Sequence, residues 1–98
     1  ACTLVHTRRM EYEWDPAKAK ANLRRHGIAF ADAVLALEDP RALTMADPDA
    51  SGEQRFVCLG SDPNGRVVVT VFTPRGRRTR IISSRKAGHN ERRIHESQ

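Results

Sequence analysis

Apolar and polar residues alternate with a period of two over Glu11–Trp14, which predicts a short β-strand. Asp15-Pro16 then marks a helix start, because an aspartate side chain caps free amides and proline suits the first helical position. We predict the helix over residues 17–26, with Gly27 as its C-cap. A second helix should follow directly and end before Asp39-Pro40. Its apolar stripe, at positions i, i+3, i+4 and i+7, consists of Phe30, Ala33, Val34 and Leu37.

The second half of the chain is dominated by strand patterns separated by short turns. Strands are predicted over residues 54–60, 66–72 and 78–84, and residues 41–46 form a candidate edge strand. Short turns join antiparallel neighbours, so the pattern indicates a meander followed by a polar helix over residues 87–96. The predicted fold class is α+β, with an antiparallel four- to five-stranded sheet, two N-terminal helices and one C-terminal helix.

The length of 98 residues suits one domain. Residues 1–9 lack an apolar segment and precede Met10, so we expect a disordered leader or expression remnant there, followed by a single domain over 10–98. No apolar run is long enough to cross a membrane. Cys2 and Cys58 do not suggest a disulfide framework, which favours the reducing cytoplasm.

Basic residues are concentrated after Gly65, in a chain with net charge +5 and a pI of about 10.0. Such a block is typical of a surface that binds a polyanion, although a solvated basic face without a partner has the same composition. Aromatic residues make up only 5% of the chain, which argues against a protein that stacks several bases. The basic residues of this block are Arg66, Arg75, Arg77, Arg78, Arg80, Arg85, Lys86, Arg92 and Arg93.

An ordered series of motifs from Met10 onward resembles the BrnT-type toxins of bacterial type II toxin–antitoxin systems. The matching segments are Glu13-Trp14-Asp15-Pro16-x-Lys18-x-x-x-Asn22, Arg25-His26-Gly27-Ile28-x-Phe30, Asp39-Pro40, Glu53-x-Arg55-Phe56 with Gly60, Arg80-Ile81-Ile82-Ser83-x-Arg85-Lys86-Ala87, and Glu91-Arg92-Arg93. Two departures are Ser84, where a small apolar residue is expected, and His95, where relatives often carry tyrosine.

The resemblance implies a RelE-like fold and a metal-independent ribonuclease that inhibits growth. It also implies a ribbon-helix-helix-type antitoxin, through which the toxin reaches DNA, and either a homodimer or a two-plus-two complex. Two other functions stay open at this point. The chain could be a non-catalytic RNA-binding module, or a partner-binding protein that acts through an operon-repressing complex.

Metal-free RNA cleavage requires groups that stabilise the phosphorane charge, and arginine does so at any physiological pH. Arg80 is the first candidate, because it lies inside a strand on the predicted face of Arg78. Arg85 lies where this strand meets the last helix, whose free amides could bind the same phosphate. Arg55 is a candidate second clamp. Arg80 could instead be an ordinary surface arginine that flanks the core. Additional RNA contacts are predicted from Arg75, Arg77, Arg78 and Lys86.

Proton transfer is assigned to His26, Lys18 and Glu53. The structural alternatives are a helix-terminal histidine, a solvated lysine and an ion pair between Glu53 and Arg55. His89 and His95 are expected to be exposed and inert. The histidines and cysteines show no zinc-ligand spacing, and no glycine-rich phosphate loop is present, so no metal or cofactor is expected.

Overall fold

The computed structural model describes residues 2–6 and 10–98, which contain six strands and three helices. The strands are β1 Thr3–His6, β2 Glu11–Trp14, β3 Leu43–Ala46, β4 Phe56–Ser61, β5 Val67–Arg75 and β6 Arg78–Lys86. The helices are α1 Pro16–His26, α2 Phe30–Leu37 and α3 His89–Glu96. The strands form one sheet in the order β1-β2-β6-β5-β4-β3. None of the described helices is long and apolar enough to cross a membrane.

The α+β class is confirmed, but the prediction of a purely antiparallel sheet is wrong. β2 pairs with β6 in parallel, with Glu11 opposite Arg78 and Glu13 opposite Arg80. The chain passes through α1 and α2 before it reaches the meander, and such a crossover allows β2 to join β6 in the same direction. The predicted edge strand is present as β3, at the end of the sheet.

β1 adds a sixth strand, so the predicted number of four to five strands was too low. Thr3–His6 pairs antiparallel with β2, and Val5 packs against the main core cluster. The expectation of disorder therefore does not hold for these residues. Residues 1 and 7–9, which belonged to the same expectation, lie outside the described residues.

α1 begins and ends where its capping residues predict. The Asp15 carboxylate accepts a hydrogen bond from the amide of Ala17 at 3.1 Å, and Pro16 is the first helical residue. Gly27 has a φ of 72° and donates its amide to the Leu23 carbonyl at 2.9 Å, which closes the last turn.

α1 and α2 pack on one face of the sheet, over a core that joins β2, β6 and α2. Trp14 and Phe30 meet edge to face, with ring centroids 5.9 Å apart. Gly60 lets α2 approach β4 closely, because a Cβ there would overlap the carbonyl oxygen of Ala36. The buried core cluster consists of Tyr12, Trp14, Phe30, Ala33, Val34 and Ile81.

A β-bulge interrupts β6 at Ile82. Ile81 pairs with Phe72 and Ser83 pairs with Val71, so Ile82 has no partner of its own in the ladder. The uninterrupted alternation predicted for this strand is therefore wrong after Ile81. Because residues opposite each other in a ladder share a face, Arg80, Ser83 and Arg85 lie on one face of β6, and the core residue Ile81 lies on the other.

Candidate functional site

A cavity of about 180 Å³ lies between α1 and β6. α1 contributes one helical face, because its lining residues recur three and four positions apart along the helix. β6 contributes Ile82 and Ser83 at the bulge. The α1 residues that line this α1–β6 cavity are Lys18, Ala21, Asn22, Arg25 and His26.

Three basic side chains of this cavity, Lys18, Arg25 and His26, are here called the α1 cations. Lys18 and Arg25 are exposed, and His26 is half-buried in the last turn of the helix. Within residues 2–6 and 10–98, no carboxylate lies within ion-pair distance of any of the three. The positive charges of Lys18 and Arg25 are therefore available to an anion that enters the cavity, and the structure brings together Lys18 and His26, the two predicted residues of the first helix.

Arg80 and Arg85, here called the strand arginines, have carboxylate partners instead. Arg80 places Nε and Nη2 each 2.8 Å from Glu13 Oε2, and the Glu13 side chain is 10% exposed. Burial by itself lowers the pKa of Arg80, but the hydrogen bond to Glu13 contributes to a net rise. Glu13 was not among the predicted site residues. The period-two pattern of β2 places it opposite the core face, but its partner lies 67 residues away in sequence.

Arg85 binds Glu91 through two parallel hydrogen bonds. Its Nη1 and Nη2 lie 2.9 and 3.0 Å from Glu91 Oε1 and Oε2. Glu91 Oε1 also accepts the amide of Gly88 at 2.7 Å, at the N-terminus of α3. The hydrogen bond from Arg85 is the main reason why the pKa of Glu91 is lowered. Arg85 and the Gly88 amide converge on a carboxylate of the protein itself, and their convergence on a phosphate stays a prediction.

Arg55 and Glu53 form an exposed ion pair at 3.0 Å, in the loop that leads into β4. They do not belong to the strand, which begins at Phe56. The Thr73 hydroxyl donates to the carbonyl of Gln54, and Thr73 pairs with Arg80 in the sheet. The main chain near Arg55 therefore lies about 10 Å from that of Arg80, which corresponds to two strand spacings.

The remaining predicted RNA contacts lie at the two ends of β6. Arg75, Arg77 and Arg78 are exposed around the β5–β6 turn, and Lys86 is exposed at the other end of the strand. Arg78 is also 3.4 Å from a Glu11 carboxylate oxygen. These residues are not brought into the α1–β6 cavity.

His95 is buried, contrary to the expectation of an exposed histidine. Its Nε2 lies 2.8 Å from Asp39 Oδ2, which also accepts the amide of Ser61 at 2.8 Å. Burial raises the pKa of Asp39, but hydrogen bonds from the amides of Arg41 and Ser61 and from His95 lower it overall. This contact anchors α3 to the end of α2. His89 is exposed at the start of α3, as expected.

Asn22 is a buried polar residue in the wall of the cavity. It bonds both main-chain polar groups of Ser84, with its Oδ1 3.1 Å from the amide and its Nδ2 2.8 Å from the carbonyl oxygen. The sequence shows only that Asn22 lies on the polar side of α1. The sequence does not show that Ser84 is its partner, because the two residues are 62 positions apart.

Metal ligands are not clustered in the part of the chain that the structure describes. No group of three or more histidine, cysteine, aspartate or glutamate residues lies close enough there to hold a metal ion. The chemistry that these residues can support is anion binding and proton transfer by the α1 cations.

Comparison with known proteins identifies the family of the chain. The family model described as "Ribonuclease toxin, BrnT, of type II toxin-antitoxin system" matches residues 14–91. The 1.1 Å crystal structure of the Brucella abortus ribonuclease toxin BrnT superposes with a TM-score of 0.58 and 25% sequence identity, covering 78% of this chain and 94% of that chain. A search of curated proteins finds no significant match.

The fold and the family match define a ribonuclease toxin of a type II toxin–antitoxin system. The chain belongs to the BrnT family. Membership of a toxin–antitoxin system also means that an antitoxin is its partner.

Proposed function

We propose that the α1–β6 cavity is where the toxin cleaves RNA, and that cleavage needs no metal ion. The observation that supports this site is the group of α1 cations, which have no carboxylate partner among the described residues and face the bulge of β6. A phosphodiester entering the cavity meets a lysine, an arginine and a histidine on one helical face.

The three side chains match the requirements of cleavage by the RNA 2′-hydroxyl. Arg25 and Lys18 stabilise the charge that develops on the phosphorane oxygens. His26 exchanges the proton of the attacking or leaving oxygen, because imidazole is the side chain best suited to proton transfer near neutral pH. Lys18 is the remaining group on this helix face that can supply a proton to the leaving 5′-oxygen.

The strand arginines position the RNA backbone beside the cavity. The bulge puts Arg80, Ser83 and Arg85 on one face of β6, and Ser83 also lines the cavity. An RNA strand that follows β6 passes these residues over about 26 Å, from the basic β5–β6 turn to Lys86. Arg55, with Glu53 as its ion-pair partner, lies two strands away and extends this surface.

The partner proposed for this toxin is a ribbon-helix-helix-type antitoxin that joins it in a two-plus-two complex in the cytoplasm. DNA is then bound through the antitoxin only. Family membership supports an antitoxin partner, and the resemblance of the sequence motifs to BrnT-type toxins supports its type.

The site is tested by incubating the purified toxin with a fluorescently labelled RNA in EDTA. His26→Ala and Lys18→Ala should each lower the cleavage rate about 100-fold, the usual contribution of a group that transfers a proton. His89→Ala and Lys20→Ala are matched controls, because both side chains are exposed and neither lines the cavity. Equal rates for the four variants would contradict the proposed site, and loss of all cleavage in EDTA would contradict metal independence.

A further inference from the structure

We propose that Asn22 is a positioning residue, which holds α1 at the distance from β6 that cleavage requires. The proposal rests on the α1–β6 cavity being the catalytic site. It assigns to Asn22 no contact with the RNA.

The hydrogen bonds of Asn22 reproduce those of a missing strand. β2 pairs with β6 only as far as Arg80, because the chain then turns into α1. Beyond that point, the Asn22 amide accepts from the Ser84 amide at 3.1 Å and donates to the Ser84 carbonyl at 2.8 Å. These are the two bonds that a neighbouring strand would make with Ser84.

The third hydrogen bond fixes the end of α1. Asn22 Nδ2 donates to the carbonyl of Ile28 at 3.0 Å, just beyond the Gly27 cap. With one acceptor atom and one NH₂ group in use, the amide is held by β6 on one side and by the chain after His26 on the other. Asn22 is 7% exposed, so water does not compete effectively for these bonds.

This position connects both walls of the cavity. Lys18, Arg25 and His26 are four residues before, three after and four after Asn22, so they lie on the same helical face. On β6, Ile82 and Ser83 immediately precede the residue that Asn22 binds. A change at Asn22 therefore shifts the α1 cations relative to the bulge, and a displacement of about 1 Å can reduce an enzymatic rate 100-fold.

Neither aspartate nor alanine can replace the asparagine amide. Aspartate keeps the acceptor for the Ser84 amide, but it faces the carbonyl oxygens of Ser84 and Ile28 with no donor. Alanine leaves the buried main-chain groups of Ser84 without partners. Glutamine keeps both functions of the amide, but its additional methylene displaces α1 from β6.

A matched control must weaken the same part of the sheet without moving α1. Thr70→Val serves this purpose, because the Thr70 hydroxyl bonds the Ser84 hydroxyl at 3.0 Å and Thr70 is not among the residues that line the cavity. The change leaves the Ser84 main chain and Asn22 in place. Its effect on turnover thus measures the consequence of lower stability alone.

The experiment compares Asn22→Ala, Asn22→Gln and Thr70→Val, first by thermal unfolding and then by cleavage kinetics at a temperature where each is folded. Both Asn22 variants should lower kcat at least 10-fold with KM changed less than 3-fold, since the RNA-binding residues are kept. Thr70→Val should keep kcat within about 2-fold of the parent.

The proposal is overturned if the Asn22 variants match Thr70→Val in kcat, or if KM rises while kcat is kept. Failure of both Asn22 variants to fold would also overturn it, because Asn22 would then serve the fold and not the site. His26→Ala in the same assay separates this result from failure of the proposed function. If His26→Ala retains full activity, the cavity is not catalytic, whatever Asn22 does.

Discussion

The α1 cations and the strand arginines lie on the two sides of the α1–β6 boundary, but their surroundings differ. Arg80 and Arg85 are each bound by a carboxylate, whereas the α1 cations have no such partner among the described residues. The two arginines that the sequence favours most are therefore less available to an anion than the α1 cations. A run of basic residues indicates how much positive charge is present, and the carboxylates around it decide how much an RNA can use.

The paired arginines also hold parts of the fold together. The Arg80–Glu13 contact joins the two strands of the parallel pair, and the Arg85–Glu91 contact joins β6 to α3. α3 depends on such polar contacts, because His95 is its only buried residue and Ile94 is 46% exposed. The strand arginines thus combine a structural role with the positioning of RNA that we propose for them.

Among the variants that test the difference between the strand arginines and the α1 cations, we predict the largest effect for Arg80→Ala, which should lose stability. The change leaves the Glu13 carboxylate largely buried without its nearest cation, which should lower the free energy of unfolding by about 2 kcal/mol. Arg78→Ala is the matched control. Its side chain is 47% exposed and its Nη1 lies 3.7 Å from Glu13 Oε1, so the loss should stay under about 0.5 kcal/mol. Urea unfolding measures both, and equal losses would show that Arg80 is not a structural partner of Glu13.

The second prediction compares adjacent arginines of α1. Arg25 lines the cavity and Arg24 does not, although both are exposed. Arg25→Glu should weaken binding of a non-cleavable RNA about 10-fold, and Arg24→Glu only about 2-fold, because the second acts through long-range charge alone. Fluorescence anisotropy at one fixed salt concentration measures both dissociation constants. Equal weakening would mean that RNA responds to the charge of α1 in general and not to the cavity.

A smaller effect is expected from Glu91→Gln, which removes the carboxylate that competes for Arg85. RNA affinity should rise by about 2- to 4-fold, because the guanidinium becomes available to a phosphate. Glu96→Gln removes the same charge from the far end of α3 and controls for net charge. If the two variants bind RNA equally well, Arg85 is not a phosphate ligand.

The smallest predicted effect is on acid stability. The pKa of Glu91 lies below its ordinary value of 4.5 in the folded protein, mainly because of the hydrogen bond from Arg85. This pair therefore contributes its full stability above that value, and the contribution is lost as the pH falls through the lowered pKa. The loss should be under about 1 kcal/mol, since the pair is partly exposed. Urea unfolding of the parent and Glu91→Gln at pH 6 and pH 3 should show their difference in stability shrinking in acid. A constant difference would contradict the assignment.

Local signals predicted the helical part of the fold well. Asp15-Pro16, Gly27 and the apolar stripe from Phe30 define α1 and α2, because caps and periodicity involve residues close in sequence. The parallel pairing of β2 and the bulge at Ile82 were missed, because both depend on how distant strands align. The family resemblance led to the correct class of protein, which composition and periodicity do not reveal.

In the candidate site too, local relations could be predicted from the sequence and contacts between distant residues could not. Lys18 and His26 share a helical face by spacing alone, so their proximity could be predicted. The sequence could not show that Arg80 and Arg85 are already bound by carboxylates, because Glu13 and Glu91 reach them only in the folded chain. His95 was misjudged for the same reason, since its partner Asp39 is 56 residues away.

The central claim, that RNA enters at the α1 cations, is tested most directly by NMR. Amide chemical shifts of the isotopically labelled toxin would be followed during titration with a short RNA that carries 2′-O-methyl groups and cannot be cleaved. We predict that the largest changes follow α1 from Lys18 to His26 and β6 at Ile82 and Ser83. Changes confined to α3 and the β5–β6 turn, with none in α1, would contradict the account.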